Sequence, residues 1–142
     1  MKALVAPVVK DQLSGLISAL EGPKMSDVEA KIYDRFIAAS VAVYSGQVDD
    51  RVLCLWGLIP PTLLSDQAYL WMHTTPVAEE HQFLLVRRSQ IEMKKMLELY
   101  PKIVGHCEVG APQSIRWLKW LGAKFGTPEG DLVPFIIERQ GV

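Results

Sequence analysis

Three histidines, two cysteines and a run of cations interleaved with tryptophan are the residues of this chain able to do chemistry. His73, His81 and His106 are too widely spaced for a tight metal-ligand pattern. His81 follows the Glu79-Glu80 pair, but no HExxH is present, so no metal is expected. Cys54 and Cys107 form neither a CxxC pair nor a disulfide framework. Cys107 falls between His106 and Glu108 in a segment that reads as a strand. Alternation sends His106 and Glu108 to one face and Cys107 to the other. Adjacency therefore makes no Cys–His dyad, and a buried structural cysteine is expected. Neither a GxxxxGKS/T loop nor a GxGxxG loop occurs, which excludes the common phosphate cradles. Trp117 and Trp120 lie three apart on one helix, flanked by Arg116 and Lys119. Such a ring-plus-cation surface suits a nucleotide or nucleic acid, or packing against a sheet and a neighbouring subunit.

The elements that position these residues follow from periodicity. Val8 to Leu20 reads as a short helix with Leu13, Leu16, Ile17 and Leu20 on one face, stopped by Glu21-Gly22-Pro23. Ser26 or Asp27 caps a second helix running to about Ala39, with Ser26 and Glu29 resembling a capping box. Its expected buried face is Val28, Ile32, Phe36 and Ile37. Ser40 to Tyr44 alternates as a strand does, and Ser45 to Asp50 reads as a turn. Arg51 to Leu58 is apolar enough for an interior strand, ended by Pro60-Pro61. Gln67 to His73 is another strand. Glu79 to Tyr100 is the longest helix, with Phe83, Val86, Met93, Leu97 and Tyr100 on one face, closed by Pro101. Lys102 to Val109 is a strand. Pro112 suits the first position of a short helix with Ile115, Leu118 and Leu121 facing inward, and Gly122 suits its left-handed end. Asp131 to Glu138 is a last strand. The order ααβββαβαβ implies an α/β or α+β domain, with helices packed on a mixed sheet.

The 142 residues fit one domain, 1–142, large enough to bury a core without staples. With 49% hydrophobic and 22% charged residues, the composition is that of a globular domain. The net charge of -1 gives no global basic excess, so nucleic acid is not an expected partner. No apolar run approaches the roughly 18 residues of a membrane span, and Met1 to Pro7 is too short for a signal peptide, so no membrane partner is expected. Charge is unevenly spread. Val86 to Lys124 holds eight basic and three acidic residues, about +5, which leaves about -6 for the remainder.

The segment Val109-Gly110-Ala111-Pro112-Gln113-Ser114-Ile115-Arg116-Trp117-Leu118-Lys119-Trp120-Leu121-Gly122-Ala123 resembles the closing motif of the GNAT N-acetyltransferase superfamily. The element order is similar too. More closely, the chain resembles GNAT-like proteins of tailed phages related to internal virion protein A. The likeness lies in Tyr69 to Thr75, Phe83 to Ser89 and Ile115 to Gly122, and spans roughly residues 26 to 139. The resemblance implies a GNAT-like mixed sheet. It makes the loop after the fourth strand, Thr75 to Glu80, the place of the coenzyme A pyrophosphate. That loop has no glycine and no arginine, and Glu79 and Glu80 put two carboxylates there. The family's asparagine aligns with Ala111 and its thiolate-protonating tyrosine with Leu118. These departures imply a degenerate acetyl-CoA site on a scaffold reused for binding, in a minor or internal virion component, an assembly factor or a host-directed protein. No cofactor is expected on that reading. The partner would be a phage virion or host protein, or a second copy, met in the host cytoplasm or the virion through Arg116, Trp117, Lys119 and Trp120. The alternative is an acetyl-CoA-dependent N-acetyltransferase acting on a protein or small-molecule amine. There Val77, Ala78, Glu79, Glu80, Arg87 and Arg88 would hold the cofactor, with His106 or Glu108 as base.

Overall fold

A computed structural model describes residues 3–8 and 27–140. The helix expected over Val8 to Leu20 falls, from residue 9 onward, outside the described residues, as does the Ser26 cap. The described elements are β1 (Ala3–Pro7), α1 (Asp27–Ala39), β2 (Ala42–Val48), β3 (Arg51–Ile59), β4 (Gln67–Thr74), α2 (Val77–Glu80), α3 (Gln82–Leu99), β5 (Lys102–Glu108), α4 (Pro112–Trp120), β6 (Lys124–Phe125) and β7 (Leu132–Glu138). The strands form one mixed sheet in the order β1-β2-β3-β4-β5-β7-β6. β4 and β5 run parallel, while β1–β2, β2–β3, β5–β7 and β6–β7 are antiparallel. This is the mixed α+β class expected. The described residues up to Ile59 group with Trp71–Gln82 in one compact unit, and Pro60–Leu70 group with those from Phe83 onward in another.

In the first unit β3 is the organising strand. Its residues Leu53 to Leu58 are all buried, Leu55 completely, so both faces of the strand are covered. β2 is longer than its alternating segment suggests. A bulge at Gly46/Gln47 shifts the register, so the pairing runs on to Val48↔Arg51. The turn is therefore only Asp49-Asp50, both at positive φ, +50° and +65°. Aspartate tolerates that region better than most residues, and two such positions match the twist of a tight hairpin.

The buried stripe of α1 also differs from expectation. Val28 and Ile32 are exposed, and Ile37 is buried. Tyr33, Phe36, Ile37 and Ser40 form the inward stripe, and Tyr33, Phe36 and Ser40 meet Trp71. The Phe36 ring stacks on Trp71 at 6.2 Å, and Tyr33 meets it edge-on at 6.1 Å. The Trp71 indole N–H donates to Ser40 Oγ at 2.7 Å, and that hydroxyl donates to the Phe36 carbonyl at 2.6 Å. Gly57 makes room for the indole: a Cβ there would stand 2.4 Å from Trp71 Nε1.

Cys54 lies in this core. Burial pushes its thiol up to about 11, with a backbone hydrogen bond at Gly46 acting in the opposite direction. The folded chain keeps that proton after the unfolded chain has begun to release it near 9.0. Stability is therefore full below that pH and falls as pH rises toward the folded value, by about 2–3 kcal/mol. Urea unfolding on either side of this window should show the alkaline loss, and Cys54→Ala should flatten it. An unchanged slope in the variant would refute the assignment.

In the second unit, the β5–β7 ladder runs from Lys102↔Glu138 to Glu108↔Leu132. Ile103, Cys107, Val133, Phe135 and Ile137 are buried on one face. Gly105 shares that face, and a Cβ on it would come within 2.6 Å of the Phe135 ring. The long helix does not start at Glu79: it is broken at His81, whose φ of -131° is not helical. Its inward stripe is the expected one except at its start: Val86, Leu97 and Tyr100 are half-buried. Met93 and Met96 are buried, whereas Phe83 is 77% exposed. Ser89 belongs to the same inward side: the Trp117 indole N–H of α4 donates to its Oγ at 2.9 Å. Pro112 stands at the first position of α4, and Gly122 follows its end at φ +102°. β1 and β6 are strands where none was expected.

Candidate active site

The segment after β4 is fixed by Thr75. This residue is buried, its N–H donates to Leu53 O at 2.8 Å, and its hydroxyl reaches Val52 O at 2.5 Å and Leu53 O at 3.1 Å. β3 thus sets the position of the turn that follows. Pro76 caps α2 with no side-chain bond. The N–H of Ala78 donates to Thr75 O, that of Glu79 to Pro76 O and that of His81 to Ala78 O. These three amides are spent inside the turn, which therefore offers an anion less than a glycine loop would. Ala78 is buried, Val77 half-buried, and Glu79 and Glu80 exposed. Glu80 is not a bare charge: Arg51 of β3 sits 3.1 Å from its carboxylate. Both groups are more than half exposed, so the pair adds little stability, but it offsets one of the two carboxylates.

A second set of groups sits on β4 and β5. Their parallel pairing covers Gln67–Tyr69 against Lys102–Val104. Tyr69 faces Val104 in that register, so its ring lies on the same side as His106. Tyr69 Oη is 3.1 Å from His106 Nδ1. His106 and Glu108 are exposed, and Cys107 between them is buried, the alternation read from the sequence. Burial pushes the Tyr69 phenol up, so it stays neutral. Burial, with the Glu108 charge second, also raises the Cys107 thiol, which is thereby kept protonated and a poor nucleophile. If His106 donates from Nδ1 to the phenol oxygen, the lone pair of Nε2 is left open to take a proton.

The remaining candidates are dispersed. Arg87 lies over the Phe83 ring at 5.9 Å, and Arg88 pairs with Glu92 at 3.6 Å. Both guanidinium groups belong to the exposed side of α3. Arg116, Lys119 and Trp120 are exposed on α4, but Trp117 is half-buried and committed to Ser89. Leu118, aligned with the resembled family's tyrosine, is buried. Among the described residues no three His, Cys, Asp or Glu side chains cluster to hold a metal. No helix among them is long and apolar enough to cross a membrane.

Solved structures match this architecture along nearly the whole chain. A GNAT-family protein of Desulfovibrio desulfuricans superposes with a TM-score of 0.74 at 13% identity, covering 96% of this chain and 99% of its own. The fold is that of the GNAT acetyltransferases. A Bacillus subtilis acetyltransferase, solved in complex with CoA, matches with a TM-score of 0.71 at 10% identity, covering 98% and 100%. The dodecameric spermidine N-acetyltransferase of Vibrio cholerae matches with a TM-score of 0.65 at 15% identity, covering 96% and 93%. No family model matches the sequence, and no curated protein does.

Within the GNAT fold, two site residues have no sequence signal. Tyr69 is 37 residues from His106, and only the parallel register brings them together. Arg51 opens a strand and reads as an edge charge until the turn after β4 is placed beside it.

Proposed function

We propose that this chain, read as one GNAT-like domain, is an acetyl-CoA-dependent N-acetyltransferase acting on a protein or small-molecule amine. The observation that carries the proposal is the exposed His106 imidazole held by the Tyr69 phenol on β5. The match to acetyltransferases over nearly the whole chain supports it. Acetyl-CoA, as co-substrate, supplies the acyl group as a thioester. As the amine nitrogen bonds the thioester carbon, CoA leaves as the thiolate; His106, in the tautomer that donates from Nδ1 to Tyr69, takes the amine's proton at Nε2 and passes it through water to the thiolate, while Tyr69 holds the imidazole plane. Glu108, two residues on and on the same face, is the second candidate base. Val77, Ala78, Glu79 and Glu80 would stand at the diphosphate, with Arg51 offsetting Glu80. Arg87 and Arg88 are the remaining cofactor candidates.

The spent amides of Ala78, Glu79 and His81 favour a second reading: a GNAT scaffold that binds a partner and has lost the cofactor. On that reading it is a phage virion, assembly or host-directed protein, acting through Arg116, Lys119 and Trp120 with Trp117 supporting them from beneath. The partner would be a virion or host protein, or a further copy of the chain, met in the host cytoplasm or the particle.

Calorimetric titration with acetyl-CoA and with free CoA separates the two. Micromolar binding is expected, weaker than for a glycine-loop enzyme. Absence of heat at millimolar ligand would reject the enzyme and leave the scaffold.

A further inference from the structure

The face of the β5–β7 ladder that carries His106 and Glu108 is exposed at both residues and apolar beside them. Residues paired across an antiparallel ladder share a face, so Val104 stands beside Ile136, His106 beside Pro134 and Glu108 beside Leu132. The Val109 N–H donates to Asp131 O, which makes these the closely approaching pairs that exchange no hydrogen bond between themselves. Val104, Pro134 and Ile136 are half-buried, and Leu132 is exposed. One step further across the sheet, Glu129 pairs with Leu132. No cation lies within ion-pair distance of Glu108 or Glu129 among the described residues. At the other end of the face Lys124 stands beside Ile136, and Lys102 beside Glu138.

An acceptor whose amine reaches His106 must lay the rest of its skeleton on this surface. An α-amino acid fits poorly, because the carboxylate beside its amine would be driven against Glu108. A polyamine fits poorly too. A second ammonium group one short methylene bridge away would land on Leu132 or Pro134. Glu129 is two strand spacings from Glu108, about 10 Å, and Lys124 repels a cation at the far end. A lysine-bearing peptide finds no strand to join, because β7 is already paired on both sides, by β5 and by β6. An amine on one apolar body answers each feature. Glu108 draws the ammonium to the edge of the row, His106 takes its proton, and the body covers Pro134, Leu132 and Ile136. We infer that the acceptor is a primary monoamine carried on a branched alkyl or aryl body, with Glu108 and Leu132 setting that choice. The inference rests on the acetyltransferase reading.

The test is release of free CoA from acetyl-CoA by the full chain with phenethylamine, isoamylamine, spermidine, leucine and a lysine peptide as acceptors. The two apolar monoamines should lead in kcat/KM by about tenfold or more, the usual worth of an apolar contact in a specificity pocket. Leu132→Glu should raise the phenethylamine KM roughly tenfold and lower that of spermidine, at unchanged acetyl-CoA KM. Leu132 is 44% exposed, so circular dichroism of this variant should match the parent chain. Glu108→Gln should raise the KM of both monoamines with kcat little changed, whereas loss of a base would fall on kcat. Preference for spermidine, leucine or the peptide overturns the inference and leaves the acetyltransferase reading standing. An unchanged phenethylamine KM in Leu132→Glu does the same. Acetylation of none of the five amines, with no heat on titration with acetyl-CoA, removes both.

Discussion

Replacing His106 by glutamine should reduce acetyl transfer to a primary amine by about 10²–10⁴-fold, while affinity for acetyl-CoA stays unchanged. Glutamine keeps a hydrogen-bonding side chain beside Tyr69 but has no lone pair basic enough to take an ammonium proton. His106 is exposed on β5, so the exchange creates no cavity and the fold should survive it. Tyr69→Phe tests the other half of the pair. The phenol holds the imidazole at 3.1 Å but moves no proton itself. Its loss should cost less than that of His106 and fall on kcat, because the acceptor still binds. Because burial raises the phenol, any alkaline limb from Tyr69 in the parent's pH–rate profile should lie above that of an ordinary tyrosine. If His106→Gln retains full activity, Glu108 is the next residue to replace, and the imidazole loses its role.

The second large effect is on stability. Trp71→Ala should cost about 3–5 kcal/mol, read as a shift in urea midpoint with an unchanged slope. The indole is 3% exposed, stacks on Phe36, meets Tyr33 and donates to Ser40. Removing it empties the space that Gly57 leaves open and deprives the Ser40 oxygen of its donor. Gly57→Ala probes the same contact from the opposite side. A methyl group 2.4 Å from Nε1 and 2.8 Å from Ser40 Oγ must push one of them away, at about 1–3 kcal/mol. The two changes share one contact, so the double variant Gly57→Ala/Trp71→Ala should be more stable than the sum predicts. Strict additivity would show that the indole and the glycine do not meet.

Segments whose signal is local were legible in the sequence. β3 shows as an unbroken apolar run, and the ends of α4 show in Pro112 and Gly122. The alternation His106–Cys107–Glu108 gave the burial of each residue correctly. What depended on distant partners was not legible. β1 is a five-residue segment whose pairing is supplied by β2, and β6 is only two residues on β7. The inward stripes of α1 and α3 were legible in their later turns, at Phe36, Ile37, Val86, Met93 and Leu97, but not at their starts, where Val28, Ile32 and Phe83 are exposed. The polar members of these stripes, Ser40 bonded to Trp71 and Ser89 bonded to Trp117, carried no apolar signal. The same holds for the site. His106 was a candidate by residue type, but its partner Tyr69 emerges only from the register of two parallel strands.

Thr75 separates two properties of the turn it precedes. Its amide and hydroxyl give the segment its address on β3, while Glu79 and Glu80 are exposed and only Glu80 touches that strand, through its half-exposed pair with Arg51. Side chains there are thus free to drift in charge and size while the backbone stays where it is. A chain built this way can trade one anion preference for another, or abandon it, without having to refold.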